Sequence, residues 1–269
     1  MDVVASDFLG VAGARVSYER AGRAVDLVWV PLFTPSRLPL AGRRWAVAPP
    51  STEFVATVDG GAEYPGGSQF GARWNHVMSR FEYSLSVYQG FNHLPLADAR
   101  FTPIPPRIAV VQVFPRIRMY GGDAAWPVRW FTLKGEAGYF TSGDLRADEY
   151  ALYVIQAERH LGEWFLVGGY AGEIVTKRRA APGFAPDRGL TRSLVGRASY
   201  TIDVNRSVAM QGVVRQDGHG VWLEGEYSQA AGQHWRTTIR LDVIRGRPDD
   251  FLGQYRRNSH LTATVRYSF

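Results

Sequence analysis

Cysteine is absent from this 269-residue chain, and no stretch of it approaches the apolar length that a membrane-spanning helix requires. Without cysteine there are no disulfide bonds, no thiol nucleophile and no zinc–thiolate centre. A spanning helix needs about 20 predominantly apolar residues, so the protein crosses a membrane as strands if it crosses one at all. The mean hydropathy of −0.19 is that of a chain in which polar and apolar residues are interleaved.

Lysine is also scarce in this sequence. Only Lys134 and Lys177 occur among the 31 basic residues, so arginine supplies nearly all of the positive charge behind the formal net charge of +6. The arginines are dispersed and form no basic run, which argues against nucleic acid as a partner. Residues 1–4 lack the basic start and apolar core of a secretion signal. If the protein is exported, we expect this sequence to be a mature form or its true start to lie upstream.

Aromatic residues and glycine are abundant, and the end of the chain shows a regular arrangement of apolar side chains. From Leu261 to Phe269, the apolar residues Leu, Ala, Val, Tyr and Phe alternate with Thr, Thr, Arg and Ser. Successive side chains of a strand point to opposite faces, so this segment predicts a strand with one apolar and one hydrophilic face. An edge strand of a soluble β-sandwich would alternate in the same way.

The same alternation recurs along the chain and predicts about 13 strands. In 80–89, one of the clearest, aromatic and aliphatic residues occupy the odd positions from 81 to 87. A further strand is expected within 108–122, where Pro115 would interrupt its hydrogen bonds. A turn is predicted at 123–127.

The connections between the predicted strands alternate in length. Long irregular segments occupy 34–66, 90–106, 177–189 and 247–257, whereas the joins between them are short turns. Short turns on one side and long outer loops on the other are the layout of an outer-membrane barrel. Residues 1–269 are therefore predicted to form a single domain, an all-β, antiparallel, up-and-down transmembrane β-barrel. Such barrels have an even strand count, so one or more strands are expected before residue 1, giving 14 or more in total.

Three internal stretches and the final strand carry a resemblance to known proteins. The stretches are Asp26–Pro31 followed by Arg37–Pro39, Tyr83–Ser86 with a Gly-Phe shortly after it, and Lys134–Phe140. They resemble an uncharacterised porin-like family of Gram-negative outer-membrane β-barrels, whose members carry additional N-terminal strands and whose closing strand ends in Phe. The resemblance implies a pore-like protein without naming its cargo. It also implies that Val265, Tyr267 and Phe269 form a C-terminal assembly signal for the barrel-assembly machinery.

The hydrophilic face of the predicted strands carries charges of both signs, whereas the apolar face of the clearest strands carries none. The candidate pore-lining residues are Lys134, Glu136, Arg197, Arg215, Glu224, Glu226, Arg236, Arg240, Asp242 and Arg266. A dry core could not hold so many charges, so this face must meet water. In a barrel it would line the lumen. There the arginines could set a transverse field against the carboxylates and select a solute, or the charges could pair and hold the wall rigid.

Catalysis has little support in this sequence. The six histidines fall at turns, loops or strand ends and show no metal-ligand spacing. Glu224 and Glu226 share a strand face, but paired inward carboxylates in a barrel are usually salt-bridged wall residues. We therefore expect no enzymatic activity, no cofactor and no metal.

Three functions follow from the sequence as alternatives. The first is a porin-like channel in the outer membrane of a Gram-negative bacterium, for passive passage of small hydrophilic solutes. The second is a structural or interaction barrel whose long external loops bind a partner or lipopolysaccharide. The third is a soluble all-β enzyme or lectin. For the first two, the expected partners are outer-membrane lipid, lipopolysaccharide, the barrel-assembly machinery and a small solute; the oligomeric state stays open.

Overall fold

The computed structural model describes residues 9–37, 45, 56–103, 106–180 and 188–269. It is all-β, with 68% of residues in strands and 3% in helix, which confirms the predicted fold class at that level. Within the described ranges, no helix has both the length and the apolar character needed to cross a bilayer.

Within the described residues, the regular elements are sixteen strands and one short helix. In chain order the strands are β1 (Ala14–Arg20), β2 (Arg23–Val30), β3 (Ala56–Glu63), β4 (Gln69–Val77), β5 (Glu82–Phe91), β6 (Leu96–Pro103), β7 (Pro106–Val113), β8 (Arg116–Pro127), β9 (Thr132–Thr141), β10 (Glu149–Leu161), β11 (Trp164–Lys177), β12 (Ser193–Asp203), β13 (Arg206–Arg215), β14 (Gly220–Ala231), β15 (Trp235–Gly246) and β16 (His260–Tyr267). A 3-10 helix, Gly253–Asn258, lies between β15 and β16.

Thirteen of these strands form one large antiparallel sheet. Its order of neighbours is β1-β2-β4-β5-β8-β9-β10-β11-β12-β13-β14-β15-β16. The strand number agrees with the 13 predicted from alternation. The sheet is not closed, and β1 and β16 are its two edge strands.

A second, three-stranded sheet is built from the connections of the first. Its order is β3-β7-β6, with β3 parallel to β7 and β6 antiparallel to β7. β3 comes from the connection between β2 and β4, and β6 and β7 come from the connection between β5 and β8. The segments 34–66 and 90–106, which the sequence predicts to be irregular, therefore contain strands.

In the middle of the chain, one sequence prediction holds in part and another is wrong. The segment 108–122 holds parts of two strands, because Pro115 lacks an N–H group and separates β7 from β8. The residues 123–127 are not a turn but the end of β8. The chain reverses just after them, where the Val128 N–H donates to the Phe131 carbonyl at 2.9 Å.

Parts of the predicted long loops lie outside the described residues, namely 38–44, 46–55, 104–105 and 181–187. The described remainder agrees with alternating connection lengths. β1–β2, β10–β11 and β12–β13 are joined by two residues each, whereas the 3-10 helix interrupts the longer segment after β15.

The two faces of the large sheet differ as the alternation predicts. In register, Val16 lies opposite Leu27, and Leu27 lies opposite Ala72. These apolar side chains share one face, and that face is open, with Val16 67% exposed and Phe70 55% exposed. The buried side chains lie elsewhere, at the ends of strands and in the connections.

The chain divides into two compact units. The first contains Met1–Ala124, Ala137–Leu152 and Ile174–Asp187, and the second contains Ala125–Glu136, Tyr153–Glu173 and Arg188–Phe269. In the first unit, Leu96, Val111 and Val113 form a small core of the second sheet, with Ala147 packed against it. In the second unit, Ile244 and Leu252 are fully buried.

A group of charges surrounds the second sheet near Ala147. The Arg146 guanidinium forms ion pairs with Asp144 at 2.7 Å and Asp98 at 3.4 Å. Arg100 also contacts Asp98, at 3.2 Å, and Glu63, at 2.7 Å. Hydrogen bonds from the Arg146 side chain lower the pKa of the Asp144 carboxyl below its ordinary value of 3.8. Arg146 thus links the connection 142–148 to β6, and Arg100 links β6 to β3.

Acid should loosen the connection 142–148 before it unfolds the sheets. Because the folded pKa of Asp144 is depressed, its stabilising contribution is complete above pH 3.8 and is lost as the pH falls through the lowered value. We expect an increase in amide hydrogen exchange across 144–148, equivalent to a few tenths to about 1 kcal/mol of local stability. Asp144→Asn should remove most of this pH dependence. An unchanged acid response in Asp144→Asn would contradict this role for the carboxylate.

Candidate functional site

The hydrophilic face of β12 to β16 brings polar side chains of five strands into one line. In register, Arg197 lies opposite Gln211, Gln211 opposite Glu224, Glu224 opposite Asp242, and Asp242 opposite His260. We call these five residues the charged row. Directly opposite residues of neighbouring strands share a face and have Cβ atoms about 5 Å apart, so the row follows from the strand register alone.

Side-chain contacts run along the charged row. The Gln211 amide donates to Glu224 Oε1 at 2.9 Å, and Arg197 Nη1 donates more weakly to Gln211 Oε1 at 3.5 Å. At the other end, His260 Nε2 lies 3.6 Å from Asp242 Oδ2. The row is therefore a chain of polar contacts across the strands and not a set of isolated charges.

Arg240 lies beside both carboxylates at the centre of the row and offsets part of their negative charge. Its Nε lies 3.3 Å from Asp242 Oδ2 and 3.9 Å from Glu224 Oε2. Asp242 is only 1% exposed, and its Oδ1 accepts a hydrogen bond from Trp222 Nε1 at 3.0 Å. A carboxylate this deeply buried requires a nearby cation, because removing one member of a buried ion pair is strongly destabilising.

The connection between β15 and β16 is attached to the end of β13 through a second buried ion pair. Arg215 Nε donates to Asp250 Oδ1 at 3.1 Å, and the same guanidinium also donates to the Thr191 carbonyl. Asp250 Oδ2 in turn accepts from the Leu252 N–H at 2.8 Å. Gly253 makes the tight path of this connection sterically feasible, since a Cβ there would lie 1.6 Å from the Arg247 carbonyl oxygen. Arg215 therefore anchors a connection, although the sequence predicts that it lines a pore.

The predicted pore-lining residues thus separate into groups. Arg197, Glu224, Arg240 and Asp242 come together in and beside the charged row, and Glu226 lies opposite Arg240 in register. Lys134 forms an ion pair with Glu158 at 2.7 Å. Glu136 has no ion-pair partner within the described residues. Because Arg240 lies beside two carboxylates, arginines and carboxylates interleave in this part of the sheet.

Arg236 and Arg266 form a different arrangement. They lie directly opposite each other on β15 and β16, and neither has an ion-pair partner among the residues that the structure describes. Like charges directly opposite each other are unfavourable, so this pair is a local concentration of positive charge close to the short connection between β14 and β15. It is the part of the hydrophilic face best suited to attract an anion.

The first unit repeats the pattern of paired charges on its hydrophilic face. Arg15 contacts Asp26 at 2.8 Å, and Arg73 contacts Asp123 at 2.9 Å. Ser17 and Ser84 donate to the same two carboxylates. Neutralised carboxylates are therefore a property of both units, as expected of a wetted wall with ion pairs.

Sequence reasoning missed several members of these networks. Gln211 is uncharged, and His260 was assigned to a strand end, so neither stood out as part of a charged surface. Glu158 and Asp250 escaped notice because their partners lie on other elements. Only the strand register reveals Gln211 and His260 as members of the row.

The site offers little to a metal ion. Across the described ranges, no group of three or more His, Cys, Asp or Glu side chains could hold one.

Comparison with known proteins finds no matching family, no similar curated protein and no similar solved structure. The porin-like family resemblance therefore stays a prediction.

The buried carboxylate of Asp242 should be essential for stability. Asp242→Ala leaves Arg240 without its closest counter-ion and Trp222 without an acceptor, and we expect a loss of about 3–5 kcal/mol in the free energy of unfolding. Asp242→Asn, which retains an acceptor for Trp222, should cost less. The matched control is Glu63→Ala, which removes a carboxylate from an exposed ion pair and should cost about 0–1 kcal/mol. Urea titration of the folded protein measures all three, and equal losses for Asp242→Ala and Glu63→Ala would contradict the role assigned to Asp242.

Proposed function

We propose that the large sheet belongs to a transmembrane β-barrel of a Gram-negative outer membrane, which acts as a porin-like channel for small hydrophilic solutes. One observation carries this proposal: the sheet has an exposed apolar face and, on its other face, charges that are largely paired. A lipid-facing exterior and a wetted interior require this division.

The exposed apolar face is too extensive for an ordinary soluble surface. Large hydrophobic side chains are at least half exposed on strands across the sheet, among them Val16, Phe70, Leu85, Met210, Leu241 and Val265. Soluble monomers rarely expose contiguous apolar patches larger than a few hundred Å². Lipid hydrocarbon would cover these side chains at no cost in dehydration, which favours a membrane over the soluble enzyme or lectin.

Aromatic side chains cluster beside the short connections. Trp164 contacts Tyr200 with ring centroids 4.9 Å apart, and Trp235 contacts Tyr267 at the same distance. Trp74 contacts Tyr83 near the connection between β4 and β5, at 5.4 Å. Barrel exteriors carry aromatic girdles at the two membrane interfaces, and these pairs would form the girdle at the end of the short connections.

The proposal requires hydrogen-bond partners for the two edge strands of the large sheet. In hydrocarbon, every unpaired backbone N–H or C=O group costs several kcal/mol, so an open edge does not occur there. The outer sides of β1 and β16 must therefore be hydrogen-bonded in the membrane.

In this proposal the hydrophilic face is the pore wall. The charged row and the ion pairs of the first unit hold neighbouring strands together and contribute little net field, because their charges are compensated. Arg236 and Arg266 form no ion pair within the described residues, and as two adjacent positive charges they would give the pore a preference for anions. The interaction function remains the second candidate, favoured by the second sheet, which gives long connections an ordered, charged surface.

Channel activity and its selectivity are testable together. The protein purified from native envelopes should give stable conductance steps that scale with salt concentration. Replacing both Arg236 and Arg266 with Glu should shift the reversal potential in a salt gradient toward cations. The control replaces both with Lys, which keeps the charge and should retain the original reversal potential. Silence from a folded, heat-modifiable protein would refute the channel and favour the interaction function.

The C-terminal residues provide an independent test of the outer-membrane assignment. If Val265, Tyr267 and Phe269 are an assembly signal, Phe269→Ala should lower the amount of folded protein in the outer membrane several-fold while leaving synthesis unchanged. Phe269 is fully exposed, so its loss removes no packing contact from the folded chain. The neighbouring Ser268→Ala is the control and should accumulate normally. Equal accumulation of both variants would count against the signal.

A further inference from the structure

The apolar face of the first unit contains a groove with a volume of about 730 Å³. Two adjacent rows of side chains line it. Trp29 and Phe70 are opposite each other in the first row, and Leu27, Ala72 and Val87 follow one another in the second. The groove therefore lies across β2, β4 and β5, on the face that the proposed function assigns to lipid.

Small residues explain why this part of the face is concave. Ala14 lies opposite Trp29 in register, and Ala72 lies between Leu27 and Val87. An alanine between larger neighbours leaves a depression that the neighbours border. The volume falls within the range of about 300–1,000 Å³ that is common for small-molecule sites, and most of the lining is aliphatic or aromatic.

Arg118 on β8 is the one charged residue that lines the groove. It is exposed, and within the described ranges it has no ion-pair partner. Tyr120, two residues further along the same face, also lines the groove and could add a hydroxyl donor. Arg118 follows the first residue of β8 by two positions, at the end of the strand where the long connection from β5, which contains β6 and β7, enters the large sheet. A strand end is where a lipid-facing arginine costs least, because it lies near the membrane interface and not at the midplane.

We propose that this groove binds an acyl chain of a phosphorylated lipid of the outer leaflet, with the Arg118 guanidinium bound to the lipid phosphate. The inference rests on the membrane placement in the proposed function and adds a specific lipid site to it. A planar guanidinium can make two parallel hydrogen bonds to one phosphate. The apolar lining and the cation at its outer end match the two parts of such a lipid, a hydrocarbon chain and an anionic headgroup.

A second copy of this chain fits the groove less well. A two-fold interface presents the same patch from both subunits, so it would bring two Arg118 side chains toward each other without a counter-ion. An uncharged lipid would fill the apolar part but would leave Arg118 unmatched. Charge complementarity therefore favours the phosphorylated lipid.

Trp29 provides a direct reporter, because it lines the groove. The protein is reconstituted into vesicles in which a small fraction of the lipid carries brominated acyl chains. The difference in fluorescence between the wild-type protein and Trp29→Phe gives the signal of Trp29. We expect brominated phosphatidylglycerol to quench Trp29 several-fold more effectively than brominated diacylglycerol, which has the same acyl chains and no phosphate. Ala72→Ile, which fills the depression, should reduce quenching by both lipids.

Arg118→Gln should remove the preference for phosphatidylglycerol. The control is Arg23→Gln. Arg23 lies on the apolar face at the opposite end of β2 from Trp29, where it is opposite His76 in register. Its loss should leave the preference intact. Equal loss of the preference in both variants would overturn the site as a nonspecific charge effect. Equal quenching by the two lipids in a protein that inserts and conducts would overturn the lipid site and leave the channel standing. A protein that fails to insert would overturn both.

Discussion

The antiparallel hydrogen-bond ladder, with its period of two residues, is the constraint on which the rest of this structure depends. It assigns every second side chain to the apolar face and the others to the hydrophilic face. It also fixes the partners within each face, so that Asp242 lies between Glu224 and His260. A register slip of one residue would exchange the faces of a strand, exposing a buried carboxylate to the apolar side. Burial of Asp242 thus requires one register of β15.

The charges of the hydrophilic face are arranged for cohesion more than for a long-range field. Each central carboxylate has a cation beside it, and each such contact joins neighbouring strands or bridges them through Arg240. A wall with compensated charges can stay wetted without a strong preference for either sign of ion. In the proposed pore, Arg236 and Arg266, which have no ion-pair partner within the described residues, would act against a wall whose other charges are mostly paired.

Local sequence patterns predict this fold well where strands pair with neighbours that are close in the sequence. The alternation in β5 and β16, the strand number of the large sheet and the separation of its two faces are all readable from the sequence. The second sheet is not, since pairing between β3 and β7 depends on segments far apart in the chain. Pro115 indicates an interruption of the hydrogen-bond ladder. The sequence around it does not show that the chain leaves the second sheet there and enters the large one. The partners of the charges were also hidden, because a cross-strand neighbour such as Gln211 has no signature of its own.

The parallel pairing of β3 with β7 has a consequence for the order in which the chain folds. β3 precedes the β4–β5 hairpin and β7 follows it, so Asp59 meets Val110 only after a long loop has closed around that hairpin. Loop-closure entropy makes such non-local contacts slow to form. The hairpin needs only a short turn and is favoured to form first. The second sheet is therefore a late event, assembled on strands that have already paired, and its ordered surface would mark a chain that has completed folding.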